Sequence, residues 1–138
     1  MIRNRILISI LLAAVWIGCV AAHSGKGKSE TLTGSWGGEH IGITFTAQGA
    51  SVEYDCAEGT IDSPVVPDRE GHFEAMGTHA AEHGGPVREG EQAETRPARY
   101  RGRVTGGSLK LMVTLGSGEE VGTFLLTRDA QPRLTKCQ

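Results

Sequence analysis

The chain has 138 residues, with 14 basic against 16 acidic side chains and a formal net charge of −2 at pH 7. One domain is all that such a length holds. With aromatic residues at 5% and a slight acidic excess, it lacks the concentrated basic surface and stacking rings that nucleic acids require, so no nucleic-acid partner is expected.

The chain opens MIRNR, two arginines and no acid, then runs through ILISILLAAVWIG, thirteen residues without a charge, into the small and polar CVAAHSGKGKS. That is the order of regions in a secretory signal peptide. A membrane-spanning helix takes about 20 apolar residues. Residues 6–22 supply seventeen, so a retained signal anchor is the lesser reading. Val20, Ala21 and Ala22 present small residues to a signal peptidase, which makes 1–22 the signal peptide and His23 the first mature residue. In an alternative processing, Cys19 after Gly18 resembles the bacterial lipoprotein box, whose cysteine is lipidated, although Trp16 stands where that box carries Leu, Val or Ile. The protein is therefore expected to be exported, to a periplasm or the extracellular space. Any membrane attachment is expected only through the signal anchor or a lipidated Cys19.

Either processing leaves Cys56 and Cys137, an even count in an oxidising compartment, and a disulfide between them is the economical reading. The mature chain would carry twelve basic and sixteen acidic side chains. Residues 23–31 begin HSGKGKSE, without an apolar side chain to bury, and read as a flexible leader. The domain is expected over 32–138.

From there the pattern has period two. A short strand is expected at 32–36. IGITFTA sets Ile41, Ile43, Phe45 and Ala47 on one face, Gln48 and Gly49 turn the chain, and SVEYDC sets Val52, Tyr54 and Cys56 on one face. A further strand is expected near 60–66, with Pro64 implying an edge or bend. GHFEAMGT puts Phe73 and Ala75 opposite His72, Glu74 and Met76, and RYRGRVT puts Tyr100, Gly102 and Val104 opposite Arg99, Arg101 and Arg103. GGS leads into LKLMVTL, with Leu109, Leu111, Val113 and Leu115 on one face. GSGEE turns the chain into VGTFLLT, and 134–137 forms a tail strand. The expectation is all-β: a single small antiparallel meander of about eight strands, closed or flattened into a barrel so that few edges stay exposed.

Gly34, Ser35 and Trp36 form a G-x-W on the first of these strands. It resembles the opening of the calycin group of lipocalins, avidins and bacterial relatives, in whose barrels the tryptophan packs across the closed end. A short exported chain with a disulfide is also similar to the bacterial inhibitors of alkaline metalloproteinases, small barrels whose N-terminal extension enters the protease cleft. The resemblance implies that a Cys56 to Cys137 link pins the tail to the barrel. It carries over a fold and no ligand.

Residues 79–97 break the alternation with Gly84, Gly85, Pro86 and Pro97 and the acids Glu82, Glu89, Glu91 and Glu94, a loop long enough to be functional. Within it His79, Glu82 and His83 match H-x-x-E-H of inverted zinc peptidases, chemistry that needs both histidines on one helical face and a third ligand. Thr78 and Gly84 would bound only a single turn. A looser site for zinc or another divalent metal would take His79 and His83, joined by Glu39 and His40. GGEH at 37–40 mirrors EHGG at 82–85, and a rim site of Glu39, His40, Glu82, His83 and Arg88 follows if the two approach at one barrel end. The basic stripe of Arg96, Arg99, Arg101 and Arg103, three of which alternate along one strand face, suits carboxylate or phosphate ligands, or simply a solvated strand face.

The leading expectation is an exported, non-catalytic binding or inhibitory module, without cofactor, whose partner, an unknown protein or small ligand, meets 37–40 and 79–97. The alternatives are a metal-binding protein or metal-dependent enzyme using His79 and His83, and a passive envelope lipoprotein.

Overall fold

The computed structural model describes residues 29–82, 86, 89–90 and 93–137. The segment 1–22 expected to be a signal peptide, with Cys19, and most of the expected leader 23–31 lie outside these residues. Among the described residues eight strands are formed: β1 (Gly34–Gly38), β2 (Ile41–Phe45), β3 (Ala50–Tyr54), β4 (Ala57–Ile61), β5 (His72–Ala81), β6 (Thr95–Thr105), β7 (Ser108–Leu115) and β8 (Glu120–Arg128). Each pairs antiparallel with its neighbour in the chain, and β1 pairs with β8, so the sheet closes into a barrel.

The alternation in the sequence sets which side chains point inward. Ile41, Ile43, Phe45, Val52, Tyr54, Phe73, Ala75, Tyr100, Leu109, Leu111, Val113 and Leu115 are all buried, as the period-two reading requires. Trp36 is buried as well, with the Arg128 guanidinium 4.7 Å from its ring centroid. Phe45 and Phe73 meet edge to face with centroids 6.0 Å apart.

Glycines on the inner face make room for these rings. A Cβ at Gly102 would overlap the tip of Phe73, and one at Gly59 would overlap the Tyr100 hydroxyl. The barrel interior is thus filled by its own side chains.

Four boundaries differ from the sequence reading. β4 starts at Ala57 and ends at Ile61, where 60–66 was expected, because Ala57, Gly59 and Ile61 supply the inward set and Pro64 falls in the connection that follows. That connection still contributes to the core through buried Val65, whose carbonyl accepts the Leu32 amide at 2.7 Å. The first strand is shifted from 32–36 to Gly34–Gly38.

The 79–97 loop shortens to 82–94, since His79 pairs with Gly59 and Arg96, and Ala80 with Glu58 and Thr95. Lastly, 134–137 forms no strand. The tail makes a single parallel bridge, Arg133 to Glu39, and then crosses the outside of the barrel as a strap.

The strap fits because the outer wall is hollowed beneath it. A Cβ at Gly37 would overlap the Ala130 carbonyl, and one at Gly42 would come within 2.9 Å of the Pro132 ring. At its end Cys137 is joined to Cys56, with Cα atoms 5.4 Å apart.

Candidate functional site

In an up-and-down meander, alternate turns share one end. Turns 39–40 and 55–56, the described ends of the 82–94 connection and turn 116–119 therefore share one rim. The GGEH segment and Glu82, the first residue of EHGG, accordingly share one barrel end. Of the five residues read as a rim site, Glu39, His40 and Glu82 lie there, and His83 and Arg88 are outside the described residues.

His40 is held in the left-handed region, with φ of 66°. Few non-glycine residues adopt this conformation, and it persists where surrounding contacts enforce it. Here its amide donates to the Arg133 carbonyl at 2.8 Å, and its Nδ1 lies 2.6 Å from the Asp55 carboxylate. The other Asp55 oxygen accepts the Thr135 amide at 2.7 Å. This backbone donor, seconded by His40, holds the Asp55 carboxyl below the usual carboxylate range.

Glu39 takes the Arg133 guanidinium at 2.9 Å, and the Glu82 amide donates to the Cys56 carbonyl at 2.9 Å. Turn 39–40, turn 55–56, the start of loop 82–94 and the C-terminal strap are thereby tied into one assembly, which the disulfide closes.

Asp55, Arg133 and Thr135 were not singled out in the sequence, although a signal was available. Once Cys56 is bonded to Cys137, residues 54–55 and 133–136 must be neighbours.

The one-turn helix needed for a His79–His83 pair is not formed. Thr78 to Ala81 belong to β5, where His79 points inward with its ring 5.1 Å from Tyr54, centroid to centroid. Burial, with the Arg96 charge secondary, lowers the pKa of His79. His40 is engaged by Asp55 instead.

Among the described residues, the side chains that converge as a metal site would require are Asp68, Glu70 and His72, all exposed, at the opposite end. Asp68 is already occupied there, accepting the Glu70 amide at 3.0 Å and the His72 amide at 2.8 Å.

Beneath the rim, Tyr54 donates to the Tyr100 oxygen at 3.4 Å and Tyr100 donates to the Thr78 carbonyl at 2.6 Å. Phe124 packs on Tyr54 with centroids 5.9 Å apart. Burial raises the pKa of both tyrosines, the only two in the chain, above the ordinary ~10. The fold's preference for neutral rings is fully present below that pH and is lost as pH rises beyond it, because the unfolded chain ionises first. In an alkaline titration, tyrosinate absorbance is expected to develop only together with loss of the near-ultraviolet dichroism. A normal titration near pH ~10 with the fold intact would contradict the buried pair.

The fold is that of a closed eight-stranded antiparallel barrel, an architecture compatible with a small calycin-like barrel. Compared with protein-family models, with curated proteins and with solved structures, the chain gives no match.

Proposed function

We propose that this protein is an exported, non-catalytic binding or inhibitory module whose partner meets the rim of turns 39–40 and 55–56 and loop 82–94. The filled interior carries this reading. With Trp36, Tyr54, Phe73, Tyr100, Leu109 and Leu111 occupying the barrel, a partner is met on the outside.

The rim is the better outer candidate because it is stiff where a contact surface benefits from stiffness. A surface ordered before binding loses less conformational entropy on association. Positive-φ His40, the Asp55 double acceptor and the Cys56–Cys137 bridge supply that order.

Within this class, a short exported chain closed by the Cys56–Cys137 disulfide favours the small barrels that inhibit alkaline metalloproteinases, with residues 23–31 as the segment that enters the protease cleft. An alkaline metalloproteinase is accordingly the probe. Titrating the protein into the peptidase is expected to abolish turnover at one equivalent and to protect 23–31 from cleavage. Undiminished turnover with 23–31 freely cut would remove the inhibitory reading.

A further inference from the structure

The outer wall of the barrel is electrically lopsided. β1 to β4 contain no lysine or arginine, while Glu53 and Glu58 stand directly opposite each other on β3 and β4. The strap adds Arg133 there, paired with Glu39, and Lys136.

On the other side, Arg99, Arg101 and Arg103 project outward from β6 and Lys110 from β7. Alternate residues along a strand lie about 7 Å apart, so the three arginines form a straight row. Two carboxylates share this face: Glu74, 2.7 Å from Arg101 and 3.4 Å from Arg99, and Glu120, which accepts the Thr123 hydroxyl at 3.0 Å. Among the described residues, Arg103 and Lys110 have no carboxylate within ion-pairing distance.

In each cross-strand rung, a cation also has an exposed apolar neighbour. Met76 lies beside Arg99, Met112 beside Arg101 and Leu125 beside Lys110. Their exposures of 53%, 40% and 73% set them apart from the buried core.

The geometry points to the outer face of β5 to β8 as a docking surface for an anionic lipid bilayer. The basic row would meet the headgroups, and Met76, Met112 and Leu125 would enter the acyl boundary. Net charge does not produce this face, because the chain as a whole is acidic. Charge complementarity favours an anionic surface. The interleaved, unstacked apolar side chains favour a bilayer over an acidic protein, whose contacts centre on aromatic and arginine anchors in packed pockets.

The inference is independent of the rim's partner. It is a barrel-mediated contact that needs neither a retained signal anchor nor a lipidated Cys19, and it turns Glu53 and Glu58 away from the membrane.

The test uses the full chain and its variants on phosphatidylcholine vesicles with and without phosphatidylglycerol, so that any binding by the N-terminal segment is common to every arm. Each basic side chain near an anionic leaflet is worth about five-fold, so Arg101→Gln/Arg103→Gln/Lys110→Gln is expected to lower partition into phosphatidylglycerol vesicles roughly 100-fold at low ionic strength. Glu53→Gln/Glu58→Gln, which makes the chain less acidic on the far wall, is expected to change nothing. Met112→Ser/Leu125→Ser is expected to remove the part of binding that resists salt. Arginine-directed chemical footprinting on vesicles is expected to protect Arg99, Arg101 and Arg103 but not Arg133.

Equal partition of wild type and the triple variant, circular dichroism confirming both folded, would overturn the proposal. So would protection of Arg133 to the same degree, or retention by a soluble acidic protein with no vesicle binding.

Discussion

Reduction of the Cys56–Cys137 bridge, or Cys137→Ser, is expected to lower the unfolding free energy by about 4.5 kcal/mol, the chain-entropy value for opening a loop of that size. Domains of this kind have only about 5–15 kcal/mol in all, so the loss takes a large share of the stability. The loss also extends beyond loop entropy. The strap loses its anchor, and with it go the Thr135 amide on Asp55, the Arg133 ion pair with Glu39 and the cover over Gly37 and Gly42. Denaturant unfolding of oxidised and reduced protein, followed by circular dichroism with a thiol titration of each sample, measures the difference. Equal midpoints, or two free thiols in protein isolated without reductant, would remove the covalent strap from the account.

The second large effect is expected inside the wall. Gly59→Ala should destabilise by about 3 kcal/mol, at the upper end for overpacking, because neither neighbour of the new Cβ can retreat. One is the Tyr100 hydroxyl, held by its bond to the Thr78 carbonyl, and the other is that carbonyl itself, 2.7 Å away in the adjacent strand. Tyr100→Phe alone should cost about 1 kcal/mol for the lost hydrogen bond. In the double variant Gly59→Ala/Tyr100→Phe, the conflict with the hydroxyl disappears. The two changes are therefore expected to fall short of additivity by more than 1 kcal/mol, a coupling that contacting residues commonly show. Strict additivity would mean that Tyr100 does not occupy the notch at Gly59.

The same two regions show what could be read from residues alone. The inner wall was legible because burial on one face of a strand imposes alternation. Ile41, Ile43 and Phe45, or Leu109, Leu111 and Val113, admit no other assignment once the period is seen. The disulfide was legible from counting.

Strand ends were less so. β5 continues through His79 to Ala81 because the backbones of β4 and β6 pair with it on both sides. That is a tertiary cause, and the local sequence, with Thr78 as a ready cap and Gly84 as a ready stop, suggested a turn instead. The tail departs from its local pattern for the opposite reason. Leu134 and its neighbours are compatible with a strand, but a closed barrel has no free edge to accept one, so the chain lies across the wall. The acidic and basic walls were half visible. The arginine row was evident from its spacing, whereas the pairing of Met76 with Arg99 and of Met112 with Arg101 depends on register, which only the assembled sheet fixes.

The ladder order has a further consequence for how the molecule assembles. Seven of its pairings join strands consecutive in the chain, and one, three residue pairs between β1 and β8, does not. A ribbon of successive hairpins can zip without waiting for distant partners, and such local wiring favours fast folding. That leaves a single seam to stitch, and Trp36 with Arg128 sits on it, so the stacking of guanidinium on indole marks the moment the cylinder becomes complete.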